Sequence, residues 1–157
     1  LQNKYMADTK KQIKRDYTYA VGRRKDASAR VRLYTSVKEG LVWGDQVVSK
    51  DQMLVNGEPI EHYFSGPVAK TKYQLPLALT NTLGKYAVTV KVEGGGKNGQ
   101  LQALVLGISR ALSALDREKN RPVLKAKGLL KQDSRIRQRR MVGTGGKARR
   151  KKQSPKR

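Results

Sequence analysis

The 24 residues from Ser134 to Arg157 carry eleven Lys or Arg and no Asp or Glu. A segment so charged and so poor in apolar side chains cannot bury a core, and alone in water it repels itself into an extended coil. Folding is confined to what precedes it. The physical partner of such a segment is a polyphosphate, because each phosphate it neutralises releases a condensed counterion. Gly143, Gly145 and Gly146 add backbone freedom, which suits a strand threading between RNA helices better than a rigid groove-reading helix.

The rest of the charge is distributed unevenly. Residues 117–157 hold 17 of the 35 basic residues against Glu118 and Asp133, a net of +15 out of +23. Residues 1–116 hold 18 basic and 10 acidic residues, a net of +8. At 157 residues the chain suits one domain of roughly 100 residues with extensions. The boundaries we expect are a flexible arm over 1–16, a globular body over 17–128 with an inserted loop at 35–53, and an extended basic tail over 129–157. Leu1 to Tyr5 precede Met6-Ala7, which resembles an ordinary start, so they enter no fold argument. With no cysteine there is neither a disulfide framework nor a thiolate metal site. No apolar run approaches the roughly 18 residues of a membrane span, and a soluble cytoplasmic protein is the expectation.

Hydrophobic periodicity gives the elements of the body. Tyr17 to Arg24 and Ala27 to Tyr34 are expected as two strands, with Gly22 to Asp26 as the bend. In the second, Ala29, Val31 and Leu33 alternate with Arg30, Arg32 and Tyr34, a half-buried strand with a cationic outer face. Leu41-Val42-Trp43 and Gln46-Val47-Val48 form a small hairpin around Gly44-Asp45, and Met53-Leu54-Val55 runs into the tight-turn pair Asn56-Gly57. A helix starts at Ser65-Gly66-Pro67. It is expected to break before Pro76, followed by a second short helix from Leu77 to Leu83. Tyr86 to Val92 is a strand ended by Gly94-Gly95-Gly96, and Gln100 to Leu115 is an amphipathic helix. A shorter helix through Val123 to Ala126 ends at Gly128.

Catalytic patterns are weak throughout. Gly94 to Gly99 fits G-x-G-x-x-G between a strand and a helix, but no second strand carries the acid that would hold a ribose. Asp116 sits instead at a helix end, followed by Arg117. A P-loop would need Lys and Ser or Thr where Gln100-Leu101 stand. The glycines then serve a tight strand-to-helix turn, or they expose amides that, beside Lys97, hold one RNA phosphate. His62 is the only histidine, and Asp45, Asp51, Glu58 and Glu61 suit solvated loop charges offsetting nearby lysines. We expect no enzyme, no cofactor and no small-molecule substrate.

The basic residues fall into three sets. Arg23, Arg24 and Lys25 sit at the first strand bend, and Arg30 and Arg32 share one strand face. Lys125, Lys127, Lys131, Arg135, Arg137, Arg139 and Arg140 lead into Lys147, Arg149, Arg150, Lys151 and Lys152. The last two cations, Lys156 and Arg157, close the sequence. Past Asp133 no acid is interspersed to form surface pairs, so the C-terminal run is read as a binding surface, and arginine predominates at 135–140, where forked donors meet phosphates. All these sets, together with Gly95, Gly96 and Lys97, are candidate contacts to RNA. A DNA-compacting basic protein and a nucleotide-binding enzyme are the rival readings.

These residues resemble one family, the ninth protein of the small ribosomal subunit in its bacterial or organellar form. The likeness runs from about Tyr19 to Arg157. Ala20-Val21-Gly22-Arg23-Arg24-Lys25 with Ala29-Arg30-Val31 is similar to the family's opening strands, and Val55 to Phe64 to its second motif. Gly94-Gly95-Gly96-Lys97-Asn98-Gly99-Gln100, continuing through Ala103, Gly107, Ser109 and Arg110, matches its signature. The resemblance implies an α+β domain like the second domain of ribosomal protein S-five, with a four-stranded sheet, packed helices and a left-handed crossover. It implies binding to rRNA of the subunit head beside neighbouring head proteins, with Lys156 and Arg157 reaching peptidyl-site tRNA.

Two departures stand out. The loop over 35–53 is longer than the family's usual turn, and its Lys38 and Lys50 are offset by Glu39, Asp45 and Asp51. It is therefore expected to face solvent or a neighbouring protein and to be dispensable for subunit incorporation. Gln153-Ser154-Pro155 also lacks the aromatic that the family commonly has before its final Ser-Lys-Arg. The four arginines Arg23, Arg24, Arg30 and Arg32 are expected on one RNA-facing edge of the sheet.

Overall fold

A computed structural model describes residues 16–36, 42–43, 46–146 and 148–149. Its centre is an antiparallel hairpin, β1 (Tyr17–Arg24) and β2 (Ala27–Tyr34), paired in full register from Tyr17 opposite Tyr34 to Arg24 opposite Ala27. The bend is tighter than expected: Gly22, Arg23 and Arg24 remain in the strand, and Lys25 makes the turn at φ 52°. Then come the two-residue strands β3 (Val42–Trp43) and β4 (Gln46–Val47), which form a separate hairpin. Leu41, Gly44 and Asp45 of that expected hairpin lie outside the described residues.

β5 (Met53–Val55) and β6 (Glu58–Pro59) flank the Asn56-Gly57 turn, where both residues have positive φ. The Asn56 amide extends that turn's pairing: its Nδ2 donates to the Val92 carbonyl and its Oδ1 accepts from the Val92 N–H. α1 (Ile60–Tyr63) and α2 (Pro67–Leu79) follow, then β7 (Ala87–Glu93), α3 (Lys97–Leu115) and α4 (Arg117–Ala126). The main sheet runs β1-β2-β7-β5-β6, with β5 parallel to β7 and the other neighbours antiparallel. The architecture is α+β, as expected. The sheet has five strands instead of four, because the two residues of β6 pair beyond β5.

α3 covers one face of the sheet. Leu101, Leu104, Ile108, Ala111 and Leu112 are buried against Val31, Leu33, Val88, Val90 and Val92. Each such aliphatic side chain, fully buried, contributes roughly 1.5–3 kcal/mol of transfer free energy. α3 begins at Lys97, three residues before the expected start at Gln100.

Two helices depart from the sequence expectation. α2 passes through Pro76 without a break and ends at Leu79. Proline at that position forfeits one helical hydrogen bond. Tyr73, Pro76 and Leu77 are all buried on the core side, and that burial offsets the lost bond. Residues 80–83 are not a second helix; the Thr80 hydroxyl donates to the Pro76 carbonyl and the Thr82 N–H to the Leu77 carbonyl, closing the end. α4 starts six residues earlier than Val123, capped by Asp116, whose carboxylate accepts from the Lys119 N–H.

The part of the inserted segment described at residues 42–43 and 46–53 packs onto the sheet. Val48 is 2% exposed and packs with Tyr34, Leu54 and Ala87, with Trp43 and Tyr17 against the same cluster. Those residues lie on the sheet face opposite α3, so the insertion covers one end of it. Tyr34, assigned to the cationic outer face by its alternation, is buried there at 6% exposure.

Candidate nucleic-acid interface

Strand alternation puts the sheet's cations on the face that α3 leaves open. Tyr19 stands opposite Arg32, Val21 opposite Arg30 and Arg23 opposite Ser28. The next strand places Lys91 opposite Arg30, Thr89 opposite Arg32 and Glu93 opposite Ser28. The Glu93 carboxylate accepts from Arg30 at 3.1 Å and Lys91 lies 3.1 Å away, which together hold its pKa below the ordinary value. The Arg32 guanidinium lies 5.2 Å from the centre of the Tyr17 ring, within the reach of a cation–π contact.

Arg24 does not belong to this face. One position along from Arg23, its side chain turns to the α3 side. There Nε donates to Gln102 at 2.8 Å, Nη1 donates to the Arg135 carbonyl at 2.7 Å, and Nη2 lies 3.2 Å from Asp133. The expectation of four arginines on one edge is corrected to Arg23, Arg30 and Arg32. The reason is the period of two: adjacent residues in a strand point to opposite faces.

Arg24 instead fastens the start of the tail. Asp133 also accepts from the Arg135 guanidinium at 2.7–3.1 Å and from the Arg135 backbone N–H at 3.0 Å. The Arg135 contacts, with Arg24 beside them, hold the Asp133 carboxyl well below the usual carboxylate range. A second tie is Arg110, which donates to the Val21 carbonyl at 2.7 Å and to the Gln132 amide oxygen at 3.2 Å. Residues 131–140 have no helix or strand, and Arg137, Arg139 and Arg140 are exposed, as is Arg149. Lys147, Arg150, Lys151, Lys152, Lys156 and Arg157 lie outside the described residues.

The glycine-rich turn is first a packing device. Gly94 and Gly95 have φ of 72° and 61°, and a Cβ on Gly94 would overlap the Asp26 carbonyl oxygen. Beside them a cleft of about 300 Å³ is lined by Arg24, Lys25, Asp26, Gly96 and Lys97. The Lys97 ammonium lies 3.4 Å from the centre of the Tyr63 ring and donates to the Tyr63 carbonyl, while the residue stays exposed. Gln100 is tied to Gly94 and Tyr63. Glu61 pairs with Lys70 at 2.9 Å, and His62 is exposed, in keeping with solvated loop charges.

Sequence reasoning missed a stripe on α4. Arg117, Arg121 and Lys125 recur every fourth residue, are exposed, and line a cleft of about 590 Å³ with Arg110 and Lys131. The four-residue spacing was a visible signal, but of the three only Lys125 was taken as a candidate contact, within the run that leads into the tail. Lys127 is exposed just past the same helix. Lys91 was likewise missed, although it alternates with Val90 and Val92.

Comparison with known proteins gives the family. The family described as ribosomal protein S9/S16 matches residues 22–157. The chain belongs to the ribosomal S9 family. It is similar to the small ribosomal subunit protein uS9 of Maridesulfovibrio salexigens, 44% identical over 134 residues that cover 85% of this chain and 92% of that protein. To the protein of the same name from Bifidobacterium animalis subsp. lactis it is 40% identical, over 88% of this chain and 77% of that one. To that of Tropheryma whipplei it is 41% identical, over 78% and 71%. As a member of the ribosomal S9 family the chain is a structural constituent of the small ribosomal subunit and not an enzyme. No helix among the described residues is long and apolar enough to cross a membrane.

Proposed function

We propose that this ribosomal S9 family member binds rRNA of the subunit head through its body and sends its cationic tail through RNA toward peptidyl-site tRNA. The observation that carries the reading is the fastening of residues 132–135 by Arg24 and Arg110. A chain that repels itself needs a fixed point of departure, and here the last residues before the cationic run are tied to both β1 and α3. Residues 17–128 then form the docking body, 1–16 an arm and 129–157 the penetrating tail.

Within that reading Arg23, Arg30 and Arg32 present one cationic face to rRNA, and Lys25 with the backbone of Gly95 and Gly96 borders a second contact. Lys97, exposed and lining the same cleft, joins that contact while also resting on Tyr63. Lys125 and Lys127 sit where α4 hands over to the tail, joined by Arg117 and Arg121. Nine of the eleven tail cations fall within 135–152 and supply most of the rRNA anchoring by counterion release. Lys156 and Arg157 act on tRNA, as the resemblance implies, and contribute little to assembly.

The test is a chain ending at Pro155, built into subunits. Assembly should be normal, while peptidyl-site tRNA is held more weakly by roughly 1–2 kcal/mol, the scale of one or two partly exposed charge-assisted contacts. Equal tRNA affinity at two salt concentrations would remove the terminal pair from the site.

A further inference from the structure

The open sheet face holds a recess that phosphate neutralisation alone does not explain. Thr89 sits between Arg32 of β2 and Leu54 of β5 in register and is 1% exposed. Its hydroxyl finds no hydrogen-bond partner among the described residues. A buried hydroxyl without a partner carries the cost of its lost hydration. Thr89 also lines a cleft of about 380 Å³, whose other walls are aromatic and cationic. Tyr17 and Tyr19 border it from β1, Arg30 and Arg32 from β2, and Lys91 from β7. Trp43, from the inserted hairpin, closes one end.

We propose that this cleft receives a single unstacked RNA nucleotide. The proposal rests on the RNA binding argued above and names what this face binds. A cleft of this volume falls in the range that holds small ligands, roughly 300–1,000 Å³. Its three cations against the one carboxylate of Glu93 favour an anion. The aromatic groups supply stacking surface, since Tyr19 is 43% exposed and Trp43 half-buried. A base turned out of its stack offers donors and acceptors on its edges, which a buried hydroxyl can meet. A duplex keeps its bases stacked and offers their edges only across a shallow minor groove, so no base of a duplex can enter the cleft and reach a hydroxyl on its floor. The geometry therefore points to a splayed nucleotide: base against Trp43 or Tyr19, edge to Thr89, phosphate to the cations. The insertion, expected from its charge balance to be dispensable, becomes the wall of the site.

Trp43 is the sole tryptophan of the chain, so its emission reports on the cleft alone, whatever the tail binds. The full-length protein is titrated with a single-stranded RNA and with a blunt RNA duplex of equal phosphate number, and bound RNA is measured separately by filter retention. At equal retention the single strand should quench Trp43 and the duplex should not. Thr89→Val should weaken the quenching phase about tenfold without lowering the unfolding midpoint, because the methyl replaces a hydroxyl that has no partner. Retention of RNA with Trp43 emission unchanged, or equal quenching by duplex and single strand, would overturn the pocket while leaving RNA binding in place. Quenching that Thr89→Val leaves untouched would overturn the role of the hydroxyl. Failure to retain any RNA would overturn the parent reading and the pocket with it.

Discussion

Gly22 of β1 and Gly107 of α3 meet with no side chain between them. A Cβ on Gly22 would overlap the Ala103 carbonyl oxygen and lie 2.6 Å from the Gly107 nitrogen, and a Cβ on Gly107 would lie 2.6 Å from a Val31 methyl. Neither residue has a positive φ, so the demand is for space and not for backbone conformation. The approach seats α3 directly on the hairpin, which lets Arg110 of the same helix reach the Val21 carbonyl.

Substituting these glycines should therefore destabilise the body by overpacking, by about 1–3 kcal/mol. Gly22→Ala should fall at the upper end, since backbone atoms must move, and Gly107→Ala lower, since the Val31 side chain can turn. Gly96→Ala is the control: nothing lies within 4 Å of its Cβ and its φ is −107°, so only a modest capping loss, below about 1 kcal/mol, is expected. Urea unfolding of the three variants checks the order.

The fastening of the tail should resist acid. Asp133 is held below the usual carboxylate range by Arg135, with Arg24 beside it. A carboxyl whose folded pKa is lowered contributes in full above its unfolded value and loses that contribution as pH falls through the folded one. Protection of the Arg135 amide against hydrogen exchange, corrected for intrinsic rate, should hold from pH 7 to about pH 4 and fall only below that. Asp133→Ala, which removes the acceptor, should abolish the protection at every pH; an amide that loses protection already between pH 6 and 5 would contradict the assignment.

Arg24 and its neighbours should separate by salt dependence. Arg30→Gln and Arg32→Gln should each flatten the salt slope of RNA binding by about one phosphate-equivalent. Arg24→Gln should leave the slope nearly unchanged and instead loosen residues 132–135, because its side chain, 14% exposed, is spent on internal partners. The same slope measurement on Arg117→Gln and Arg121→Gln tests the α4 stripe.

The insertion should be structural. Val48→Ala should cost about 1–3 kcal/mol, combining lost transfer energy with a partly unfilled cavity. Deleting residues 36–52 would bare Tyr34, Leu54 and Ala87, and should lower the unfolding midpoint further than Val48→Ala does. A deletion variant as stable as the full chain would return the segment to the status of a dispensable loop.

The sequence by itself determined the strands, the turn chemistry and the concentration of charge. Alternation at Ala29, Val31 and Leu33, the Asn56-Gly57 pair and the acid-free run after Ser134 are local signals, each set by side-chain period, backbone preference or Coulomb repulsion. They located β2, the β5–β6 turn and the tail without knowledge of what packs where. Tertiary structure alone decided the rest. Pro76 was allowed to stay helical because Tyr73, Pro76 and Leu77 share a buried side. Tyr34 and Val48 were buried because the insertion folds back on the second face of the sheet. Arg24 was taken from the RNA-facing set and given to the tail's fastening, 111 residues away at Arg135. In β2 the alternation of Ala29, Val31 and Leu33 with Arg30 and Arg32 already named the inner face. In β1 the period says only that Arg23 and Arg24 oppose each other, and the position of α3 says which of them turns inward. Long-range burial and long-range hydrogen bonds both depend on what the chain brings back from far along its length, and no local pattern records that.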